Sequence, residues 1–314
     1  MEDILQTNRM RILRSNIMLA ITALIWGTAF VAQDSAGAKL SGGTFTINFA
    51  RFIIGAIVVL PLFLIMNKMA DKTDKKAYND SIALSVKAGL LSGIALFAAA
   101  ALQQCGIILG TNSGKAGFIT VMYVVMVPIF GLLFKKKVTA FAWIAVAIAP
   151  VGLYLLCISS GTFNFQTSDL IVLASAFGYT VQILLIDRFS ENSNGVLMSV
   201  VQFGVVAVLS GIMMFVFEFE YFLRLPEISG EILYLGVISC GIAYTLQILG
   251  QQHTNPTVAS LLMSLESVFA LLFGSILLSQ IPTNRELIGC AIIFAAVVLA
   301  QLPSPETKHK EKRK

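Results

Sequence analysis

The sequence predicts an all-α integral membrane protein: ten transmembrane helices arranged as two inverted five-helix repeats. Three observations predict it. Ten apolar runs fill most of the 314 residues, and about 20 apolar residues are what a hydrocarbon core about 30 Å thick requires. The positive residues between the runs alternate in abundance from one break to the next. The second half of the chain also repeats features of the first. Composition agrees, with 57% hydrophobic and 12% charged residues and a mean hydropathy of +0.83, where a soluble domain carries about 25% charged residues. No polar stretch exceeds about twenty residues, which leaves no room for a substantial soluble domain.

The spans are expected at roughly 15–33, 44–66, 82–108, 114–134 and 138–158, then 168–188, 195–217, 231–251, 256–280 and 286–303. Each run is continuously apolar without period-two alternation, which favours helices over a barrel. Arg9, Arg11 and Arg14 precede the first run as they would in a secretory signal. That run is long, lacks a small-x-small cleavage site and is followed by further spans, so it is expected to stay as the first helix. Lys68, Lys72, Lys75 and Lys76 follow the second helix, and Lys87 sits near the inner end of the third, placed to snorkel. Lys39 and Lys115 lie at the opposite face. Lys135, Lys136 and Lys137 close the fourth helix, and Arg188 closes the sixth. Arg224 and Arg285 fall outside, and Lys308, Lys310, Lys312, Arg313 and Lys314 crowd the C-terminal tail. The bias places both termini in the cytoplasm and requires an even number of spans in a cell membrane.

The repeat is visible residue by residue. At one offset Gly93 matches Gly236, Gln104 matches Gln247, Thr111-Asn112 matches Thr254-Asn255 and Ala116 matches Ala259. Near the start of each half, Trp26-Gly27 matches Phe177-Gly178. Five helices is an odd number, so the copy at 168–303 must be inverted relative to that at 15–158, with tails at 1–14 and 304–314. Inverted repeats around a midplane site are the recurrent plan of secondary transporters.

Several stretches also carry a resemblance. They are Ala23-Leu24-Ile25-Trp26-Gly27-Thr28, Arg51-Phe52, the run from Lys115 to Pro128, Ser264-Leu265-Glu266-Ser267-Val268-Phe269 and Leu287-Ile288-Gly289. Over roughly 15–303 the chain resembles the ten-helix, EamA-type branch of the drug/metabolite transporter superfamily. The resemblance implies a carrier for small metabolites, often an exporter, with a central cavity between the halves. Two departures stand out. Glu266-Ser267 stands where the family commonly has Glu-Pro, so the kink expected at Pro128 should lack a counterpart. The Lys135–Lys137 run and Gln280 replace the family's frequent Glu after the fourth and ninth helices.

Candidate substrate-binding residues follow from polarity inside apolar spans. Glu266 is the one acidic residue deep in a span, and an ionised carboxylate there costs several kcal/mol unless paired, wetted or protonated. It suits a proton or a substrate cation, or else a tie between helices. The repeat register puts Tyr123 opposite it. Arg51 has three readings: snorkelling to the outer surface, neutralising a substrate carboxylate, or pairing with a helix end. Gln104 and Gln247 serve as bundle glue or cavity lining. Trp26, Tyr179 and Tyr244 form an aromatic wall for an amphipathic solute, or pack the core. The cavity is expected among the first, third, fourth, sixth, eighth and ninth helices.

Other classes are poorly supported. The two histidines, His253 and His309, and the dispersed Cys105, Cys157, Cys240 and Cys290 provide neither a catalytic triad nor a metal cage. No nucleotide-binding loop appears, no cofactor is expected, and the basic residues mark topology rather than nucleic acid. The expected function is secondary transport of a small organic metabolite, amino acid-like or amphipathic, by alternating access and outward. A monomer or homodimer in the lipid bilayer, with protons as a coupling partner, fits this reading. The competing readings are a passive channel, a structural membrane subunit, an intramembrane enzyme and a sugar-phosphate or nucleotide-sugar exchanger. The last would want more cations in its cavity than Arg51.

Overall fold

The computed structural model describes residues 2–70, 73–111, 113–136, 138–158, 166–277 and 283–302. Lys72, Asn112, Lys137, Gln280, His309 and the C-terminal Lys308, Lys310, Lys312, Arg313 and Lys314 lie outside them. Among the described residues the chain is helical throughout, without a strand. The first half comprises α1 (Glu2–Leu40), α2 (Thr44–Met69), α3 (Lys75–Ile108), the broken pair α4 (Ser113–Thr120) and α5 (Tyr123–Leu133), and α6 (Ala140–Cys157). The second comprises α7 (Thr167–Ser190) and α8 (Gly195–Phe217), then a short α9 (Phe219–Phe222) and a 3-10 turn at Leu225–Ile228. It continues through α10 (Ser229–Leu233), a π-helical segment at Tyr234–Tyr244, α11 (Thr245–Gln251), the broken pair α12 (Pro256–Met263) and α13 (Glu266–Leu277), and α14 (Asn284–Ala300).

Nine of these stretches among the described residues are long and apolar enough to cross a membrane. The tenth apolar helix, α14, has 17 residues and so spans about 26 Å. Ile57, Leu64, Val208 and Phe294 are each more than half exposed. An apolar belt of this extent is stable only against hydrocarbon. The sequence placed most boundaries well but ended the first helix at 33, where α1 continues to Leu40. It also began the third at 82, where Asp74 caps α3 by accepting from the N–H groups of Lys76 and Ala77.

Helix packing obeys an internal exchange. With α1 to α6 set against α7 to α14 in order, α3 on α7 corresponds to the π segment and α11 on α1. The α3 contact with α8 corresponds to the π segment on α2, and α4 and α5 on α7 to α12 and α13 on α1. The pairs α2–α8 and α6–α14 map onto themselves. Small residues mark these seams, as membrane helix contacts require. A β-carbon at Gly93 would lie 2.7 Å from Val205 Cβ, and one at its counterpart Gly236 would lie 2.7 Å from Ile54 Cβ. At the α6–α14 crossing Gly152 and Gly289 face each other. A β-carbon on either would meet the other's carbonyl oxygen, at 3.0 and 2.7 Å.

The kink expected only at Pro128 is corrected. Both the fourth and the ninth span break, at Val121–Met122 and at Ser264–Leu265, which are equivalent positions. Pro128 lies inside α5, beyond the break. The breaks are tightened by i→i+3 bonds, from Val124 N to Val121 O (2.9 Å) and from Ser267 N to Ser264 O (3.3 Å). Ser264 Oγ also donates to Leu261 O at 2.7 Å, and such back-bonding bends membrane helices without proline.

Candidate functional site

The first residue after each break, Tyr123 in α5 and Glu266 in α13, faces a central cavity. The cavity is closed by Trp26, Phe30 and Gln33 of α1, Arg51 of α2, Gln103 of α3 and Thr120 of α4. Tyr179 of α7 and Ser239 and Tyr244 of the π segment complete it. Both halves contribute. The space that water-sized molecules can occupy is about 40 Å³. That is room for a few waters and less than a metabolite fills.

Local structure explains why these side chains point inward. The π segment widens the eighth span and aims Ser239 and Tyr244 at the centre. Its carbonyl at Ala243 accepts from Thr22 Oγ1 at 3.0 Å. Gly27 lets α1 touch α13, since a β-carbon there would lie 2.7 Å from Glu266 O and 2.9 Å from Ala270 N. This contact sets Trp26 beside the Glu266 break. Trp26 meets Tyr244 edge to face at 4.7 Å between centroids, and Tyr244 continues to Phe52 and Phe203.

Two polar threads line the chamber. Tyr179 Oη donates to Gln103 Oε1 (3.2 Å), whose Nε2 donates to Thr120 Oγ1 (3.1 Å). Arg51 Nη1 donates to Gln33 Oε1 at 2.8 Å. Arg51 is only 2% exposed, so the snorkelling reading is corrected: the guanidinium turns inward, adding the second helix to the cavity. Arg51 Nε and Nη2, Tyr123 Oη and Trp26 Nε1 are buried with no partner in the protein. Glu266 is 3% exposed, and none of the four ion pairs among the described residues joins it to Arg51.

Six of the eight sequence candidates thus converge: Glu266, Tyr123, Trp26, Tyr244, Tyr179 and Arg51. Gln104 and Gln247 do not line the chamber. Gln104 Nε2 donates to Gln33 O at 3.3 Å. Gln247 exchanges amide bonds with Gln182 at 3.2 and 3.3 Å, and Gln182 also donates to Gln202. The result is two triads, Gln33–Arg51–Gln104 and Gln182–Gln202–Gln247, in which Arg51 is the counterpart of Gln202 and Gln104 of Gln247, whereas the counterpart of Gln33 is Leu184. Consecutive residues on a helix point about 100° apart, so Gln103 takes the cavity and Gln104 the seam. The repeat register singled out Gln104, because the counterpart of Gln103 is Leu246. Gln33 was missed as a helix end; the need of Arg51 for an acceptor was the available signal. Phe177, the counterpart of Trp26, is half exposed to the lipid belt.

Two ion pairs bind the fourth span to the sixth. Lys115 Nζ meets Asp169 Oδ2 at 2.5 Å at one end, and Lys136 Nζ meets Asp187 Oδ2 at 2.5 Å at the other. Thr111 Oγ1 also donates to Asp169 at 2.9 Å. The counterpart in the second half is neutral, Thr254 Oγ1 with Asn16 Oδ1 at 3.2 Å. A second, polar recess of about 490 Å³ opens beside Arg11, Lys136, Asp187, Glu191 and His253. Along the eighth span, Tyr244 faces the central cavity and Gln251 this recess, with Gln247 between them. Among the described residues no three metal-ligating side chains cluster.

An all-helical chain with polar side chains meeting inside an apolar bundle is a membrane protein of the transporter class. The chain belongs to the EamA-like transporter family, whose model matches it twice, over residues 13–158 and 166–302. It is 30% identical to an uncharacterized transporter of Archaeoglobus fulgidus over 291 residues, covering 92% of this chain and 86% of that protein. A solved crystal structure 18% identical to it superposes with a TM-score of 0.72, covering 91% of this chain and 96% of that one. That likeness shows the fold.

Proposed function

We propose that the protein is an alternating-access secondary carrier of small organic metabolites, amino acid-like or amphipathic, that exports them across the cell membrane. The observation that carries this reading is the small central chamber, lined from both halves and holding Arg51 and Glu266. Buried charged and polar groups without partners are costly in a bundle that needs only to be stable. They are economical where a solute completes them. Halves of 15–158 and 168–303, inverted relative to each other with α14 as the tenth crossing and both termini cytoplasmic, act as the two rocking bodies. In this orientation the recess beside His253 lies on the cytoplasmic face, and the Gln182–Gln202–Gln247 layer separates it from the chamber. No catalytic role is assigned to the chamber residues.

Discontinuous helices support the reading, because unwound turns beside Tyr123 and Glu266 present backbone and side chain together at the site. Protons are the coupling ion in this mechanism, carried at Glu266. The test is a metabolite comparison of cells with and without the protein, followed by counterflow of each hit in proteoliposomes. Saturable exchange with trans-stimulation is expected. Flux that neither saturates nor exchanges refutes the carrier and selects a channel. Glu266→Gln is expected to abolish pH-driven flux while leaving a weaker but still saturable exchange; unchanged pH-driven flux ends the proton assignment alone.

A further inference from the structure

The two triads differ in charge. Where the second half ties its helices with three neutral amides, Gln182, Gln202 and Gln247, the first uses Gln33, Arg51 and Gln104. Arg51 and Gln202 are counterparts at the offset that relates Trp26 to Phe177 and Ile54 to Val205. A neutral amide therefore suffices for the structural place, and the charge of Arg51 is surplus to it. Of the Arg51 donors only Nη1 has a hydrogen-bond partner, Gln33, while the guanidinium lies 4.9 Å from the Phe52 ring centroid. The idle Nε and Nη2 form one edge of the guanidinium, the edge that takes a carboxylate through two parallel bonds. A buried guanidinium edge without a protein acceptor is costly, and a solute carboxylate supplies one.

The anionic group shows the same one-sidedness. Glu266 has Tyr123 as its counterpart, a neutral phenol whose hydroxyl is also unpartnered. Each half thus contributes one charge and one neutral counterpart, of opposite sign between halves. Both charges line one chamber yet lie beyond ion-pair distance of each other. A guanidinium and an ionised carboxylate that share a low-dielectric chamber without meeting are both stabilised by a solute that reaches the two of them.

We infer that the chamber is a bipolar receptor for zwitterions, in which the Nε–Nη2 edge of Arg51 takes the solute carboxylate and Glu266 its ammonium group. This rests on the carrier reading of the same chamber. Trp26, set beside the Glu266 turn by Gly27, adds aromatic attraction at the cationic end. The unsatisfied Tyr123 hydroxyl completes its hydrogen bonds. A solute with both charges bridges the two halves, whereas one bearing a single charge leaves the opposite group buried and unpaired. The arrangement also fixes the direction in which the solute lies, since the two ends of the chamber are not interchangeable.

The experiment uses the full chain in proteoliposomes loaded with an equimolar mixture of the common L-amino acids, with counterflow of the same mixture in labelled form. Competitors are each amino acid, its α-amide, which lacks the carboxylate, and its deaminated acid, which lacks the amine. Zwitterions are expected to compete about tenfold or more better than either truncated form. Arg51→Gln, which reproduces the sister triad, is expected to weaken zwitterions to the level of the amides while leaving the amides unchanged. Glu266→Gln is expected to do the same toward the deaminated acids. Truncated competitors within about twofold of the parent amino acids in the wild-type protein overturn the proposal, whatever the variants do. So do folded variants with unaltered selectivity. If neutral or singly charged solutes exchange saturably and zwitterions do not, the proposal falls while the carrier stands. If no solute exchanges saturably, the carrier reading falls with it.

Discussion

Lys115 and Asp169 offer the sharpest energetic test of the seam between the fourth and sixth spans. Their charged atoms are 2.5 Å apart, with side chains 11% and 0% exposed. Removing one partner of a buried pair costs about 3–5 kcal/mol, since the other is left uncompensated. In Lys115→Met, Asp169 keeps its bonds from Thr111 Oγ1 (2.9 Å) and Gln166 N (2.7 Å), so the lower end of that range, about 3 kcal/mol, applies. Asp169→Asn keeps an amide oxygen beside the lysine and loses the charge of the acceptor, at about 1.5 kcal/mol. The double variant resembles the neutral Thr254–Asn16 contact of the second half and should cost about 2 kcal/mol, or about 2.5 less than the sum of the singles. Thermal unfolding of the purified protein in one detergent reads this out, with about 6 °C lost for Lys115→Met at roughly 2 °C per kcal/mol. Additive single and double variants, within about 0.5 kcal/mol, would refute the pairing.

Gly27→Ala drives a methyl group onto Glu266 O and Ala270 N and should cost about 1–3 kcal/mol, with transport falling further than stability; an unchanged transport rate contradicts the close approach. Gln247→Leu removes the reciprocal amide bonds to Gln182 at about 0.6–1.7 kcal/mol. Because Gln247 lies outside the chamber, competition profiles in the same exchange assay should keep their order. Lys136→Met breaks a pair whose lysine side chain is 38% exposed and should cost less than about 1 kcal/mol, well below Lys115→Met in the same melt. A cysteine placed at Lys39 in a cysteine-free background should label from outside intact cells, and protection there contradicts the proposed orientation.

Much of the architecture was legible because hydrophobic length and turn placement are local properties. The apolar runs located the helices, and the register from Gln104 to Gln247 pairs two buried amides that both sit at helix seams. What escaped was azimuth. Gln103 and Gln104 are equally polar neighbours, and only packing tells which faces the chamber. Gln33 looked terminal because α1 carries its polar turn beyond it, against Arg51. The break at Ser264–Leu265 escaped because proline was taken as its necessary cause, whereas a serine hydroxyl bonding backward and i→i+3 pairing achieve it. Lys115 read as a topology signal; its burial depends on Asp169, 54 positions along the chain (169 − 115), which no local pattern connects.

The meeting of Gly152 with Gly289 leaves α6 and α14 joined with no side chain between them. Each offers its carbonyl to the space the other leaves bare, so the two helices dock by close backbone approach. That seam links the two stretches matched by the family model, 13–158 and 166–302. Two polypeptides divided between those stretches and synthesised together should find one another in the bilayer.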